Sequence, residues 1–394
     1  MKMISVEEAK KIISQSALSK RSEVIELSKA FGLVTSEDII ASVDIPNFAQ
    51  SSMDGYAFKF KDKDLLLNVV GEMAAGTSQQ LTLYDGEAAR IFTGAPLPNN
   101  SDTVVMQEKI RFENNFLIVD DQDILQGNNV RPKGAEVKKG ELAMHKGTHL
   151  SAAAIGFLAG IGCSHVKVYA PPKVAIILTG SELQDPGNPL EFGQVYEANS
   201  YQLKAVLKQI GINDIETFKA NDDPKVLHKV LEKAIDNYDV ILLNGGVSVG
   251  DYDFVTQVAN TCGVEEKFHK ISQKPGKPLF FGTKDEKLIF GLPGNPSSSL
   301  TCFYEYVLPA LENIMGLPSQ LKEIKAKATH DYHKNPGLTH FLKAFYNNGN
   351  VTPLHAQESF RLHSFAQANC LLVLPEESLG CKVDDEVTVH LLPI

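Results

Sequence analysis

Tryptophan is absent from the sequence, and cysteine is scarce, at five among 394 residues. The cysteines lie far apart with no Cys-x-x-Cys pair, so neither a zinc site nor a disulfide framework is indicated. That usage fits a reducing compartment. Positive charge is also short: 38 lysines and arginines stand against 48 aspartates and glutamates, a formal net charge of −10. A footprint on a nucleic-acid backbone needs a basic face, so nucleic acid is argued against as the main partner. Long apolar runs are missing too. The longest, residues 152–161, is too short and too rich in Gly and Ala to span a bilayer. The N-terminus carries Glu7 and Glu8 and no long apolar core, unlike a signal peptide. Together these absences predict a soluble, cytoplasmic protein with no membrane partner.

The length suffices for roughly two to four domains with proper cores. Residues 5–14 read as a helix, with Ser5 as its cap and Glu8 three residues on. Residues 35–41, with Ser36 as a cap, read as a second, short one. Around Asp54-Gly55 a dense run of small and polar residues suits a tight turn, and on spacing alone Asp54 simply serves that turn. Short β-type runs follow at 65–70, 88–92, 102–106 and 116–119, broken by Gly, Pro and Asn, which predicts a small inserted β module. Arg131, Lys133, Lys138 and Lys139 lie around glycines, where a solvated loop explains them as well as an anion site does. Residues 151–161 read as a helix of small residues.

After Pro171-Pro172 the pattern becomes α/β. Residues 174–178, 240–243 and 288–290 are buried-type strands. Asn199 is placed to cap a helix, and Leu203, Val206, Leu207 and Ile210 make its apolar stripe. Asp223-Pro224 opens another, with proline at the first helical position. A further helix is expected over residues 297–311. Strands alternating with amphipathic helices predict a doubly wound parallel sheet, which binds ligands beyond the carboxyl ends of its strands. Beyond Pro318 the runs at 323–328, 341–345, 371–374 and 386–391 predict a second small β domain, a barrel.

All three strands end in unusual loops. The first leads to Glu182. The second runs through Gly245, Gly246 and Gly250 to Asp251 and Asp253. A strand, a glycine-rich turn and a helix start place backbone N–H groups around an anion. The two carboxylates would repel that anion unless a divalent cation lay between, so the loop reads as a phosphate and metal site. A glycine-rich αβ turn with capping aspartates accounts for the same residues. The third loop, 293–296, feeds Ser297 into a helix N-terminus. Between the last two, Lys274-Pro275-Gly276-Lys277-Pro278 sets two point charges suited to phosphate or a small oxyanion. A surface lysine pair is the alternative, and the flanking prolines favour the site.

Seven stretches, in this order along the chain, resemble the molybdopterin molybdenumtransferase family, whose animal counterpart is the E domain of gephyrin. They are Ser52-Met53-Asp54-Gly55-Tyr56-Ala57, Phe92-Thr93-Gly94-Ala95-Pro96, Val105-Met106-Gln107-Glu108 and Thr179-Gly180-Ser181-Glu182-Leu183, then Gly245-Gly246-Val247-Ser248-Val249-Gly250, Lys274-Pro275-Gly276-Lys277-Pro278 and Gly291-Leu292-Pro293-Gly294-Asn295-Pro296. The resemblance implies four parts. Residues 1–23 with 171–318 would form the α/β domain, and 24–45 with 141–170 a helical linker and dimerisation region. Residues 46–140 would be the inserted β module and 319–394 the C-terminal β barrel. It also implies a homodimer whose cleft both subunits build. The activity implied is insertion of molybdenum from molybdate into adenylylated molybdopterin, with release of AMP, and the upstream molybdopterin adenylyltransferase is an expected partner.

The same resemblance assigns the residues. Asp54, Thr93, Glu182, Lys274 and Lys277 form the implied catalytic set, which reverses the turn reading of Asp54. Asp251 and Asp253, with Glu182, would hold Mg²⁺. Gly245, Gly246, Ser248, Gly250 and the residues Pro293, Gly294, Asn295, Pro296 and Ser297 would bind the cofactor. An arginine that the family places near Phe341 is replaced here by His340 or Lys343. Two rivals remain: a non-catalytic scaffold that holds molybdopterin or partner peptides, and a hydrolase of another nucleotide-linked cofactor.

Overall fold

Strands made almost entirely of Val, Ile, Leu and Ala lie at the centre of the main sheet, because both of their faces are covered. The computed structural model describes residues 3–18, 21–220, 222–246 and 254–393, and the sheet comprises β1 (Val174–Thr179), β2 (Ile215–Ala220), β3 (Val240–Asn244), β4 (Glu265–Lys270), β5 (Pro278–Lys284) and β6 (Lys287–Leu292). Their order is β2-β1-β3-β6-β5-β4. The first four run parallel. The last two add antiparallel at one edge. Four helices follow the strands: α1 (Asn199–Gln209), α2 (Pro224–Asn237), α3 (Val255–Thr261) and α4 (Pro296–Cys302). Leu227, Leu231, Val255 and Val258 of α2 and α3 pack on Ala175, Ile177, Ile241 and Leu243. The intervening Ile176, Leu178 and Leu242 point the other way and are also buried.

The barrel at the C-terminus consists of β7 (Lys322–Ala328), β8 (Thr339–Asn347), β9 (Asn350–Pro353), β10 (Cys370–Leu374) and β11 (Glu386–Leu391). The order β8-β9-β7-β11-β10 closes because β10 pairs back onto β8. Leu342, Val351, Leu372 and Val389 fill it. The chain divides into two compact units. The α/β sheet and the barrel belong to the unit formed by Met1–Glu23, Gly32–Val34 and Val168–Ile394. The other unit, Val24–Phe31 and Thr35–Lys167, has a four-stranded sheet in the order Asn68–Met73, Glu87–Ile91, Gly55–Phe58, Thr103–Met106. Alternate residues of these strands feed two cores, Phe58 and Val105 on one side, Ala57, Ile91 and Val104 on the other.

Several expectations hold. Ser5 caps Val6–Ser16, Ser151 caps Ala152–Gly160, and Asp223 caps α2 with Pro224 inside its first turn. Others need correction. Residues 35–41 form no helix, because the Thr35 N–H donates to Thr148 O (3.0 Å) and Ile39–Ile40 pairs with Leu142–Met144. Gly55–Phe58 is a central strand and not merely turn. Asn199 begins α1 without capping it. Residues 297–311 are no single α-helix: Phe303–Val307 is π-helical before Leu308–Met315 resumes. Pro309 lacks the N–H that would have bonded back to residue 305, which accounts for the break. Among the described residues no helix is long and apolar enough to cross a membrane.

Candidate functional site

After β1 the chain turns through α1 to β2 on one side, while β3 lies on the other, so the topological switch falls between β1 and β3. A cleft of about 850 Å³ opens there, at the carboxyl ends of the strands. Thr179, Gly180 and Glu182 line it from β1, Asn244, Gly245 and Gly246 from β3, and residues 293–296 from β6. Gly245 has φ +92°, and a Cβ there would stand 2.7 Å from Thr179 Oγ1 and 2.8 Å from Thr179 O. Only glycine lets β1 and β3 end this close. Asp222 Oδ2 accepts from Ser181 N and Ser181 Oγ, both at 3.0 Å, and thereby braces the turn that presents Glu182. Glu182 itself is exposed.

Buried amides fix the far wall. Asn199 Nδ2 donates to Asn244 Oδ1 (2.6 Å) and to Gly294 O (2.7 Å). Asn244 Nδ2 donates to Pro293 O (3.2 Å) and Ser299 Oγ (2.9 Å). Gln202 Nε2 donates to Asn199 Oδ1 and Pro296 O, each at 2.9 Å. The 293–296 turn is thus held by three amide side chains from α1 and β3, which explains why Asn199 is not spent on a helix cap. Spacing alone did not single out Asn244 or Gln202. Their signal was polarity, in the last position of an apolar strand and on the buried side of a helix.

A second cavity, about 760 Å³, shares Pro278, Pro293, Asn295 and Phe360 with the first. Lys274 and Lys277 line it with His340 and Phe341 of the barrel. The two-residue strand Gln273–Lys274 pairs parallel with β8, setting Lys274 opposite His340. His340 is 8% exposed, and its Nδ1 has no hydrogen-bond partner among the described residues. Burial pushes its pKa down to about 4, with the charges of Lys274 and Lys334 adding to the effect. It therefore stands in the cavity as a neutral imidazole at neutral pH. Lys343 faces elsewhere: its buried ammonium donates to Ala356 O (2.7 Å), Arg361 O (3.0 Å) and Glu358 O (3.3 Å). It orders the loop whose Ser359 accepts from Asn295 Nδ2 (2.8 Å) and Ser297 N (3.2 Å).

In the other unit Asp54 and Thr93 come together. Thr93 donates to Asp54 Oδ1 through its backbone N–H and its Oγ1, both at 2.8 Å. The backbone bond first, then the hydroxyl, holds the Asp54 carboxyl below its ordinary range. Arg90 lies over Tyr56 (5.1 Å) and Phe92 (4.9 Å) and donates to Gly55 O (3.1 Å). Two rigid strands and a planar cation thus frame an exposed carboxylate.

Ser248, Gly250, Asp251 and Asp253 lie outside the described residues. Among the described residues no group of three or more His, Cys, Asp or Glu gathers in a metal-binding arrangement. Glu182 supplies one hard oxygen donor to the cleft, of the type Mg²⁺ takes. Ser297 is fully buried, with an Oγ that has no partner among the described residues.

Three family models match the chain in succession: the MoeA N-terminal region (domain I and II) over residues 4–162, the probable molybdopterin binding domain over 175–313, and the MoeA C-terminal region (domain IV) over 325–392. A molybdopterin molybdenumtransferase of a Nostoc species is 36% identical, over 94% of this chain and 89% of its own. One from Haemophilus influenzae is 32% identical, over 98% of both chains. The crystal structure of a molybdopterin biosynthesis MoeA protein from Pyrococcus horikoshii superposes with a TM-score of 0.85 at 31% identity, covering 99% of each chain.

Proposed function

For a chain that belongs, on these matches, to the molybdopterin molybdenumtransferase family, we propose a specific reaction: molybdate reacts with adenylylated molybdopterin, AMP leaves, and molybdenum stays on the dithiolene. The family's own work, transfer of molybdenum to molybdopterin in cofactor biosynthesis, is the premise. One observation carries the finer reading: two contiguous cavities share a wall, one edged by a carboxylate at the ends of parallel strands, the other by two lysines and a histidine. The first suits the phosphates and nucleotide. The second suits a tetrahedral oxyanion.

The chain's own groups then divide the labour. The turns after β1, β3 and β6 hold the phosphates with backbone N–H groups. Lys274 and Lys277 bind molybdate as point charges, and His340 adds a neutral donor. In the reaction these cations also stabilise the charge that builds as the phosphoanhydride opens. Glu182, with Asp251 and Asp253, would hold Mg²⁺, which when bound neutralises phosphate charge and orients the linkage. Asp54, held by Thr93, completes the catalytic set. We read the protein as a cytoplasmic homodimer divided at the boundaries expected above, with the upstream adenylyltransferase as partner. The test is AMP release from adenylylated molybdopterin with Mg²⁺, with and without molybdate, for the wild type and Asp253→Asn. Molybdate-dependent release that collapses in the variant is expected. Tight binding without AMP release under any metal would leave a carrier or scaffold instead.

A further inference from the structure

The two lysines of the second cavity are exposed, yet the loop that carries them is anchored from inside. Gln273, the residue before Lys274, is fully buried. Its Nε2 donates to Pro275 O (3.0 Å) and Gly276 O (3.1 Å), the two carbonyls between the lysines. Its Oε1 accepts from the hydroxyl of Tyr306. That bond fixes the orientation of the amide, since a flipped amide would turn its oxygen toward two carbonyls. Tyr306 is 1% exposed and lies in the π-helical segment Phe303–Val307. Gly276, at φ +84°, backs onto Cys302: a Cβ there would stand 2.5 Å from Cys302 Sγ. Ile271 N donates to Lys277 O (3.0 Å) and closes the loop at its base. The loop between the lysines is thus held largely from its buried side, and Gln273 makes two of the bonds that hold it.

We propose that Gln273, oriented by Tyr306, is the positioning residue that sets the spacing and direction of Lys274 and Lys277, and so the affinity of the cavity for a tetrahedral oxyanion. The proposal rests on the reading of that cavity as the oxyanion site. Two point charges on long stems discriminate one oxyanion geometry only if the backbone beneath them is fixed. Gln273 lines the same cavity, but its amide is engaged by the two loop carbonyls and by Tyr306. It acts by removing freedom from the loop, in the way that supporting residues orient metal ligands.

The experiment is titration of the purified protein with molybdate, and separately with AMP, for the wild type, Lys274→Ala, Lys277→Ala, Gln273→Met and Tyr306→Phe, with thermal midpoints recorded. Gln273→Met keeps the length of the side chain and removes both its donors and the oxygen that accepts from Tyr306; Tyr306→Phe removes one hydroxyl. Each lysine variant is expected to weaken molybdate binding about tenfold or more. Gln273→Met and Tyr306→Phe are expected to weaken it about fivefold, the scale of one hydrogen bond, with AMP affinity close to wild type and a thermal midpoint lowered by the buried groups left without partners. Lysine variants that weaken molybdate while both supporting variants bind like wild type would overturn the positioning role and leave the oxyanion reading intact. Lysine variants that bind molybdate like wild type would overturn both. Equal losses for molybdate and AMP in Gln273→Met and Tyr306→Phe would mean a general defect of the fold, and would overturn the proposal as well.

Discussion

At Asp54 both hydrogen bonds from Thr93 reach Oδ1, so the carboxylate is oriented while its second oxygen has no hydrogen-bond partner among the described residues. Asp54→Asn keeps the shape and the contact with Thr93 and removes the charge. It is expected to lower turnover by about 10²-fold, the scale of one lost charged group in a reacting site, without moving the thermal midpoint. Thr93→Ala keeps the backbone bond and loses only the hydroxyl, so a loss of about fivefold is expected. On spacing alone this aspartate was a turn residue. The difference lies in Thr93, 39 positions away, which no local pattern could bring to it. Two other groups bear on pH. Burial pushes Glu312 up to about 7, against the bond from Gln320 N. The native state therefore holds a proton that the unfolded state releases above its ordinary pKa of 4.5, and stability falls as pH rises from there toward 7. His340 works the other way: depressed to about 4 from 6.5, it makes stability rise with pH between those two values. Glu312→Gln removes the first effect alone. Its thermal midpoint should exceed that of the wild type at pH 7.5 and match it near pH 4.5, and thermal scans at the two pH values check this.

Among the elements of the main sheet, three of the parallel strands were legible, whereas the edge strands and the buried β5 were not. β1 and β3 are continuous apolar runs, so their existence and type followed from the sequence. β4 reads Glu-Glu-Lys-Phe-His-Lys, because an edge strand needs little apolar surface, and it was missed. β2, at the opposite edge, was missed for the same reason. Gly55–Phe58 was hidden by its Asp-Gly start, which is turn chemistry locally, whereas pairing with Glu87–Ile91 and Thr103–Met106 makes it a central strand. Close approach of elements is open to a direct test at Gly245. Gly245→Ala would meet backbone and side chain of Thr179 at 2.7–2.8 Å in a left-handed conformation. A cost of about 1–3 kcal/mol is expected, seen as a lower thermal midpoint together with weaker AMP binding. The π-helical segment carries a buried carboxylate, Glu305, with Lys10 Nζ at 2.6 Å and His390 Nδ1 at 2.7 Å. Burial raises its pKa, but the charge of Lys10 and the contact with His390 outweigh that and hold it low. Lys10→Met should therefore cost on the order of 3 kcal/mol, again as a lower midpoint.

For the molecule as a whole, the α/β domain and the barrel were legible as classes because their hydrophobic periods differ. The cavity they line together was not. It depends on the pairing of Gln273–Lys274 with β8, residues 66 positions apart, and on the loop tied by Lys343 across 13 to 18 positions, contacts that no local period reports. On the proposed reading the two adjoining cavities act at once, one releasing the nucleotide while the other delivers the oxyanion. The most direct measurement follows molybdenum bound and AMP released in the same reaction, from adenylylated molybdopterin with Mg²⁺ and a series of molybdate concentrations. That reading requires one AMP for each molybdenum retained, with both falling together as molybdate is withdrawn. AMP released at an unchanged rate without molybdate, or molybdenum retained without AMP release, would contradict it.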